Sequence, residues 1–572
     1  MTQQPVYALK KKVEKRDRLT FFDRFTSLAY KIFGNQGKSF SKSMPSLRDD
    51  IMKSNLRITP EGLISVALLS TVIVSIVAIA TVIVAVLLHF ILLSLIVVGI
   101  PIVFLIMLNA PKISQSSRSY ALENEFPFVI GFMEVLAGGG VSPIVALKRI
   151  SSMNKIFPAA SKEAKRILVD VEVFGMDPIS ALEKAAAYNP NRAFTEFLYG
   201  YTTVLKTGGD VVNYVNSKMK ETFENKSTKI RRTSETVGTL AEAYVTVTAL
   251  LGISLFVLYQ VEAVLAHTGG GIENILLFSF LVVPLLSVVF IWVLDGIQPK
   301  QPFLDTRPYK AFGLSLPLGI VLFLLPLPVR LYLHASIALI VAVLVPAIIA
   351  TRTSRERRGL ERRLPDFIRD VAEGRKIGLP PEGAIEQLGS KDYGRLSKSI
   401  EKMGSQISWG LAITKVISSF VSEVNSWITK VIGTLMGEVV DAGGGTVKSF
   451  SEMADFTRKV NEMETDRRAT LRPYIFVIYM AGLMIVMTTF LMLLFLTQPA
   501  TTNPVVAGLT SVAPGTIDIL LLAAIFQSWV AGFVAGKMGE GSTADGFKHS
   551  LALVALSLVT ILIGSLFLPV PV

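Results

Sequence analysis

The chain has 572 residues, of which 51% are apolar and only 18% charged, and its mean hydropathy is +0.53. A soluble protein of this length carries about a quarter charged residues, so the deficit excludes an ordinary soluble protein and points to spanning segments. The net charge of +13 is what insertion and anionic lipid favour on cytoplasmic loops, so it does not argue for nucleic acid, and the lack of cysteine excludes disulfide and thiol chemistry.

The N-terminal stretch MTQQPVYALKKKVEKRDRL is basic, but no apolar run follows it at once. The first such run begins near residue 63, which argues against a cleaved signal peptide. Residues 22–33 read as an amphipathic helix. The following GNQGKS, 34–39, ends like a phosphate-binding loop, but Ile32 stands where that motif needs glycine and no strand precedes it.

From Leu63 to Leu108 there is no charge. The block is too long for one helix and is read as a pair of spans, 63–85 and 88–108, turning at His89. A second pair is expected at 243–265 and 274–294, split by HTGGG, and a third at 311–328 and 333–350, split around Pro328 and Arg330. Single spans at 473–497, 516–536 and 549–570 bring the expected number to about nine. With the N-terminus inside, 56 of the 57 Lys and Arg residues fall in inside segments, and Arg330 alone lies outside. The residues flanking the spans, such as Arg57, Arg352, Arg468 and Lys537, follow the positive-inside rule, and an odd span number puts the C-terminus outside. Pro284, Pro317 and Pro346 lie within spans, as proline often does in membrane helices, or mark a moving helix.

The expected fold is therefore an all-α polytopic membrane protein. Residues 1–62 form a basic cytoplasmic region, 63–108 two spans, 109–242 a first cytoplasmic helical domain and 243–350 four spans. Residues 351–472 form a second cytoplasmic helical domain and 473–572 the closing spans.

The two long inside segments align without a gap. LENEFPFVIGFMEVLAGGGVSPIVALKRI from Leu122 matches LERRLPDFIRDVAEGRKIGLPPEGAIEQL from Leu360 at a constant offset, pairing Glu123 with Glu361, Pro127 with Pro365, Gly140 with Gly378 and Pro143 with Pro381. In the second copy Leu364, Phe367, Ile368 and Val371 recur at the spacing of one helix face, and glycine then proline mark a helical-hairpin turn. Both copies read as small helix bundles at the membrane face.

No catalytic motif or metal spacing emerges: His89, His267, His334 and His549 are scattered. The spans contain few polar residues, chiefly Gln260, Glu262, Asp518 and Gln527, which argues against coupled transport. What remains is the dense alternation of sign in RERRGLERRLPDFIRDVAEGRK, 355–376. That run reads either as a solvated face with membrane-proximal anchoring or as a surface whose arginine forks pair with carboxylates on a partner.

Two duplicated helical domains that share a degenerate "LE..LP.F" to "G….P..A" signature, each followed by spans, resemble the type II secretion F domain family. The plan from about residue 48 onward, entered by LRDDIMKSNLRITPEGLISVALL, resembles its archaeal branch, the FlaJ-like platform proteins of the archaellum and of type IV-like pili. The resemblance implies a non-enzymatic membrane core without cofactor. Its implied partners are a cytoplasmic hexameric secretion ATPase, archaellin or pilin-like filament subunits and other motor-complex proteins, with a homodimer as a possible assembly. It places ATPase docking on Arg357, Arg358, Glu361, Arg362, Arg363, Asp366, Arg369, Asp370 and Glu373. In the first copy only Glu123 and Glu125 keep charge in the matching stretch, with Phe128 opposite Asp366 and Gly131 opposite Arg369, so the two domains are expected to differ in their contacts. An archaellum platform, an adhesive-pilus platform, a transporter and a non-motor scaffold remain the competing readings.

Overall fold

In the computed structural model the described residues are 21–87, 99–251, 254, 257–258, 270–298, 305–326, 328–442, 445–497 and 514–567, and among them there is no strand. The chain divides into two compact units, Met1–Ile130 with Pro143–Lys218, and Gly131–Ser142 with Met219–Val572.

The first unit contains α1 (Phe21–Lys42), α2 (Ser46–Ser54), α3 (Pro60–Leu87) and most of α4 (Gly99–Gly138). It continues with α5 (Pro143–Ser152), α6 (Pro158–Glu172), α7 (Pro178–Ala187), α8 (Arg192–Thr207) and the start of α9 (Val211–Val245). The short helices are punctuated by their sequence. Pro158 and Pro178 open α6 and α7 where no amide is needed, and the Asp177 and Asn191 side chains accept from the first-turn amides of Ser180 and Phe194 at 3.1 and 2.9 Å. Phe126 packs edge-on against Phe194 and Phe197 with ring centroids 5.7 and 5.8 Å apart. Beside this core Arg118 meets the buried Glu163 at 2.6 Å, and Arg166 and Asn189 donate to the same carboxylate.

The second unit continues with wide π-helical turns at Thr246–Leu251 and Phe278–Val282, separated by α10 (Gly270–Leu277). Then come α11 (Val283–Ile297), α12 (Arg307–Leu324) and α13 (Leu331–Lys376). A small helical bundle follows: α14 (Pro381–Leu388), α15 (Ser397–Ser408), α16 (Ile413–Glu423) and α17 (Trp427–Asp441). The chain closes with α18 (Val447–Thr497), α19 (Pro514–Glu540) and α20 (Thr543–Phe567).

The expectation of about nine spans is corrected. Among the described residues six helices are long and apolar enough to cross a membrane: Pro60–Ile83, Glu273–Ile297, Leu331–Lys376, Val447–Leu493, Gly515–Glu540 and Thr543–Leu566. The proposed span 311–328 falls on α12, whose 18 residues begin with Arg307 and Lys310, leaving too short an apolar stretch. Residues 88–98 and most of 252–269, with His89, Gln260, Glu262 and His267, lie outside the described residues.

The spans of the second unit pack around α19. Its most apolar stretch is 78% buried, against 28% for that of α20, and Leu520, Leu521, Ala523, Ala524 and Ile525 are fully covered. Glycine sets the closeness of α19 and α20: a Cβ on Gly536 would lie 2.2 Å from the Gly546 amide nitrogen, and one on Gly532 2.3 Å from Ser550. Several polar groups in the bundle pair across helices. Gln527 donates to Ser279 at 2.8 Å, Ser557 to Ser528 at 3.0 Å and Ser315 to the Ala342 carbonyl at 2.6 Å.

Glu134, at the end of α4, is 2% exposed and faces Glu452 on α18. Burial, and then the Glu452 charge, push its carboxyl up to about 8, with Asp455 adding and Lys459 and Lys220 opposing. A raised carboxyl pKa favours the folded state when protonated. This contribution is complete below the ordinary 4.5 and is lost as the pH rises towards 8. Glu134→Gln is therefore expected to be more stable than the parent at pH 8, on the order of 3 kcal/mol, and equal to it near pH 4.5. Thermal unfolding in detergent across that range checks it, and a gap that does not close on acidification would refute the assignment.

Candidate functional site

All nine residues of the expected docking surface lie on α13, which runs unbroken from its apolar half into the charged segment. The helix continues through Pro346 and Pro365. Leu364, Phe367, Ile368 and Val371 are buried, as their spacing predicts. The glycine-proline turn also forms: Gly378 has φ +92° and Pro381 opens α14, while in the first copy Gly140 has φ +81° and Pro143 opens α5. Both glycines adopt the left-handed backbone that a side chain disfavours.

The nine residues do not form one face. Arg362, Arg363, Arg369 and Glu373 are exposed, and Asp366 is partly so. Arg363 reaches Asp366 at 3.2 Å one turn on, a weak exposed pair. Asp370 is tied back into its own bundle by Lys391 at 2.5 Å and the Tyr393 hydroxyl at 2.6 Å. Glu361 is only 8% exposed: Ser426 donates to it at 2.9 Å and Arg468 at 3.1 Å. Arg358 bonds to Glu540, at the turn between α19 and α20. Arg357 is half-buried.

These inward-turned members belong to a polar junction where the bundle meets the spans. Arg467 and Arg468 on α18 both pair with Glu464, at 2.6 and 3.0 Å, and Arg468 also joins Glu361 on α13. Lys548 bonds to Glu540, as Arg358 does, and Ser354 donates to Asp545 at 2.6 Å. Lys537 pairs with Asp295 at 2.6 Å, and Gln298 donates to the Met538 carbonyl at 3.2 Å. Four long helices are thereby joined side chain to side chain at one level: α13, α18, and α19 with α20 at their turn. Between α13 and α18 lies a cavity of about 510 Å³ lined by Arg358, Glu361, Arg362, Asn461, Glu464 and Arg468 among others. Its charges are mostly internally paired. Arg362 both lines it and is exposed.

Sequence reasoning missed Glu464, Arg467 and Glu540. The first two sit in the run ETDRR, whose i,i+3 and i,i+4 spacing would have paired them, but nothing local links them to Glu361 or Glu540. In the first copy, Glu125 turns inward too. Its carboxylate accepts from the amides of Ala159, at 3.0 Å, and Ala160, at 2.8 Å, at the start of α6, and burial pushes it up to about 7. Arg330 and Asp518, both left without a role by sequence, meet at 3.9 Å, and Asp518 also accepts the Leu331 amide at 3.2 Å.

A helix that runs unbroken from an apolar bundle into a small helical bundle, beside other long apolar helices, defines a multi-pass membrane protein. Residues 131–259 and 367–494 each match the family described as Type II secretion system (T2SS), protein F. The chain is also 24% identical over 491 residues to an uncharacterized protein of Methanocaldococcus jannaschii, covering 79% of this chain and 81% of that one. No solved structure matches it.

Proposed function

We propose that this protein is the platform of an archaellum-type filament machine, docking a cytoplasmic hexameric ATPase and passing its motion to archaellin-like subunits in the membrane. The match of two segments to the type II secretion protein F family supports an assembly role, and the continuity of α13 supports the coupling. The helix that presents Arg362, Arg363, Asp366, Arg369 and Glu373 is the same helix that crosses the bilayer, so a displacement of that face reaches the span without passing through a loop. In this reading the N-terminus and the segments 109–242 and 351–472 are cytoplasmic and the C-terminus is outside. The chain is a scaffold rather than an enzyme, and other motor-complex proteins and a second copy complete the assembly.

Within the nine residues, the exposed subset is the docking contact, and Glu361, Arg358 and Asp370 hold the helix in place. Charge reversal at Arg362 and Arg363 in the full-length protein is expected to weaken capture of the cognate ATPase by about tenfold or more, with the melting temperature unchanged. Unaltered capture would sink the assignment of this face. Loss of swimming rather than of surface attachment in a deletion strain separates the archaellum reading from an adhesive-pilus platform of the same design.

A further inference from the structure

The cavity between α13 and α18 has two arginines that its internal pairing does not use up. Both carboxylates in its wall are matched from α18. Arg468 reaches Glu361 at 3.1 Å and Glu464 at 3.0 Å, and Arg467 reaches Glu464 at 2.6 Å. That leaves Arg358 and Arg362, one turn apart on α13 and therefore on one face of it. Arg362 is exposed and joins no carboxylate among the described residues. Arg358 gives a terminal nitrogen to Glu540, which Lys548 also holds, but its Nε is buried and has no acceptor. From α18, Asn461 lines the same cavity, and its side chain makes no hydrogen bond among the described residues.

A buried guanidinium nitrogen without an acceptor carries a desolvation cost that an arriving acceptor would return. Two arginine forks stacked on one helix face match the several oxygens of a phosphate group, and a neutral amide opposite adds a donor without adding repulsion. The carboxylates do not oppose such a ligand, because Arg467 and Arg468 already neutralise them. The volume of about 510 Å³ is that of a small-molecule site and exceeds what a bare ion needs.

We propose that this cavity binds a phosphorylated small molecule, its phosphate held by Arg358 Nε and Arg362 on α13 and by the Asn461 amide on α18. The ligand would bridge the two long helices. A lipid headgroup offers the same phosphate chemistry, and depth decides between them. The apolar run of α13 ends at Ala350, and Arg358 lies eight residues further on, or about 12 Å. That is beyond a headgroup layer of about 5–8 Å, so the ligand is soluble. Arg362 also belongs to the proposed docking contact, so binding is measured without the ATPase, and its failure would leave that contact untouched.

The probe is radiolabelled inorganic pyrophosphate, dialysed to equilibrium against the full-length protein in non-ionic detergent at physiological salt. Saturable binding at one site per chain is expected. Arg362→Ala removes an exposed side chain, so the fold is kept, and should weaken binding about tenfold or more. Asn461→Asp puts a carboxylate of nearly the same shape into the cavity and should do the same. Arg458→Ala removes an equal charge from an exposed position on α18 outside the cavity, and should leave the affinity within about twofold. Non-saturable binding, or equal weakening by Arg458→Ala and Arg362→Ala, would overturn the proposal, since either marks diffuse attraction to a basic protein. Glycerol phosphate is expected to displace the probe at least as well as short-chain phosphatidylglycerol. Displacement by the lipid alone would overturn the soluble assignment and give the cavity to a headgroup.

Discussion

Replacing Glu540 with alanine is expected to leave ATPase capture intact while abolishing filament assembly. Glu540 accepts from Arg358 on α13 and from Lys548 on α20, and the His549 ring lies 3.8 Å away. Its side chain is 12% exposed, so the variant leaves two cations beside a partly buried site with no counter-charge. Removing one partner of such a pair costs about 3–5 kcal/mol, far more than the pair adds in net stability. The exposed residues of the proposed docking contact lie one turn and more beyond Arg358 and keep their local contacts, so binding and coupling should separate. The measurements are thermal unfolding in detergent, ATPase capture and filament yield. Equal loss of capture and assembly would mean that the junction serves only to fold the docking helix.

The second large effect is expected at Gly536. Valine there would drive its Cβ to 2.2 Å from the Gly546 amide nitrogen and 2.3 Å from its Cα, both backbone atoms that cannot rotate away. Overpacking in a close-packed interior costs about 1–3 kcal/mol where side chains can shift, and here the helices themselves must part. Gly536→Val is expected to lower the melting temperature sharply or to yield no folded protein. Gly313→Ala, with nothing near its Cβ in the middle of α12, should be neutral or slightly stabilising, by about 0.5–1 kcal/mol. A Gly536→Val protein that melts like the parent would show that α19 and α20 are not in backbone contact.

What could be read in the sequence was whatever repeats locally. The charge-free runs mark helices because hydrocarbon tolerates nothing else, and Leu364, Phe367, Ile368 and Val371 mark a buried face because the α-helix repeats every 3.6 residues. The Gly378–Pro381 turn was legible for a similar reason, since each residue restricts its own backbone. The change from apolar to charged at residue 351 reads as a domain boundary, yet α13 continues through it, because a helix needs only its own hydrogen bonds and is indifferent to the solvent outside. Glu361 illustrates a partial failure. It lies three residues before Leu364 and seven before Ile368, which puts it on the apolar face, but its charge suggested the surface. Its partners Ser426 and Arg468 are distant in sequence and left no local trace. The span number suffered from the same local bias, since α12 has the hydropathy of a span only over part of its length.

The place where Arg358 joins Glu540 also divides α13 unequally. From there the helix extends 27 residues to Leu331 and 18 to Lys376, or about 40 Å and 27 Å at 1.5 Å per residue. If that contact serves as a fulcrum, a sideways push on the Lys376 end swings the far end in the opposite direction with a stroke about one and a half times as large. A small cyclic input would thus become a larger, reversed sweep of the far end, and the position of one carboxylate would set the gain.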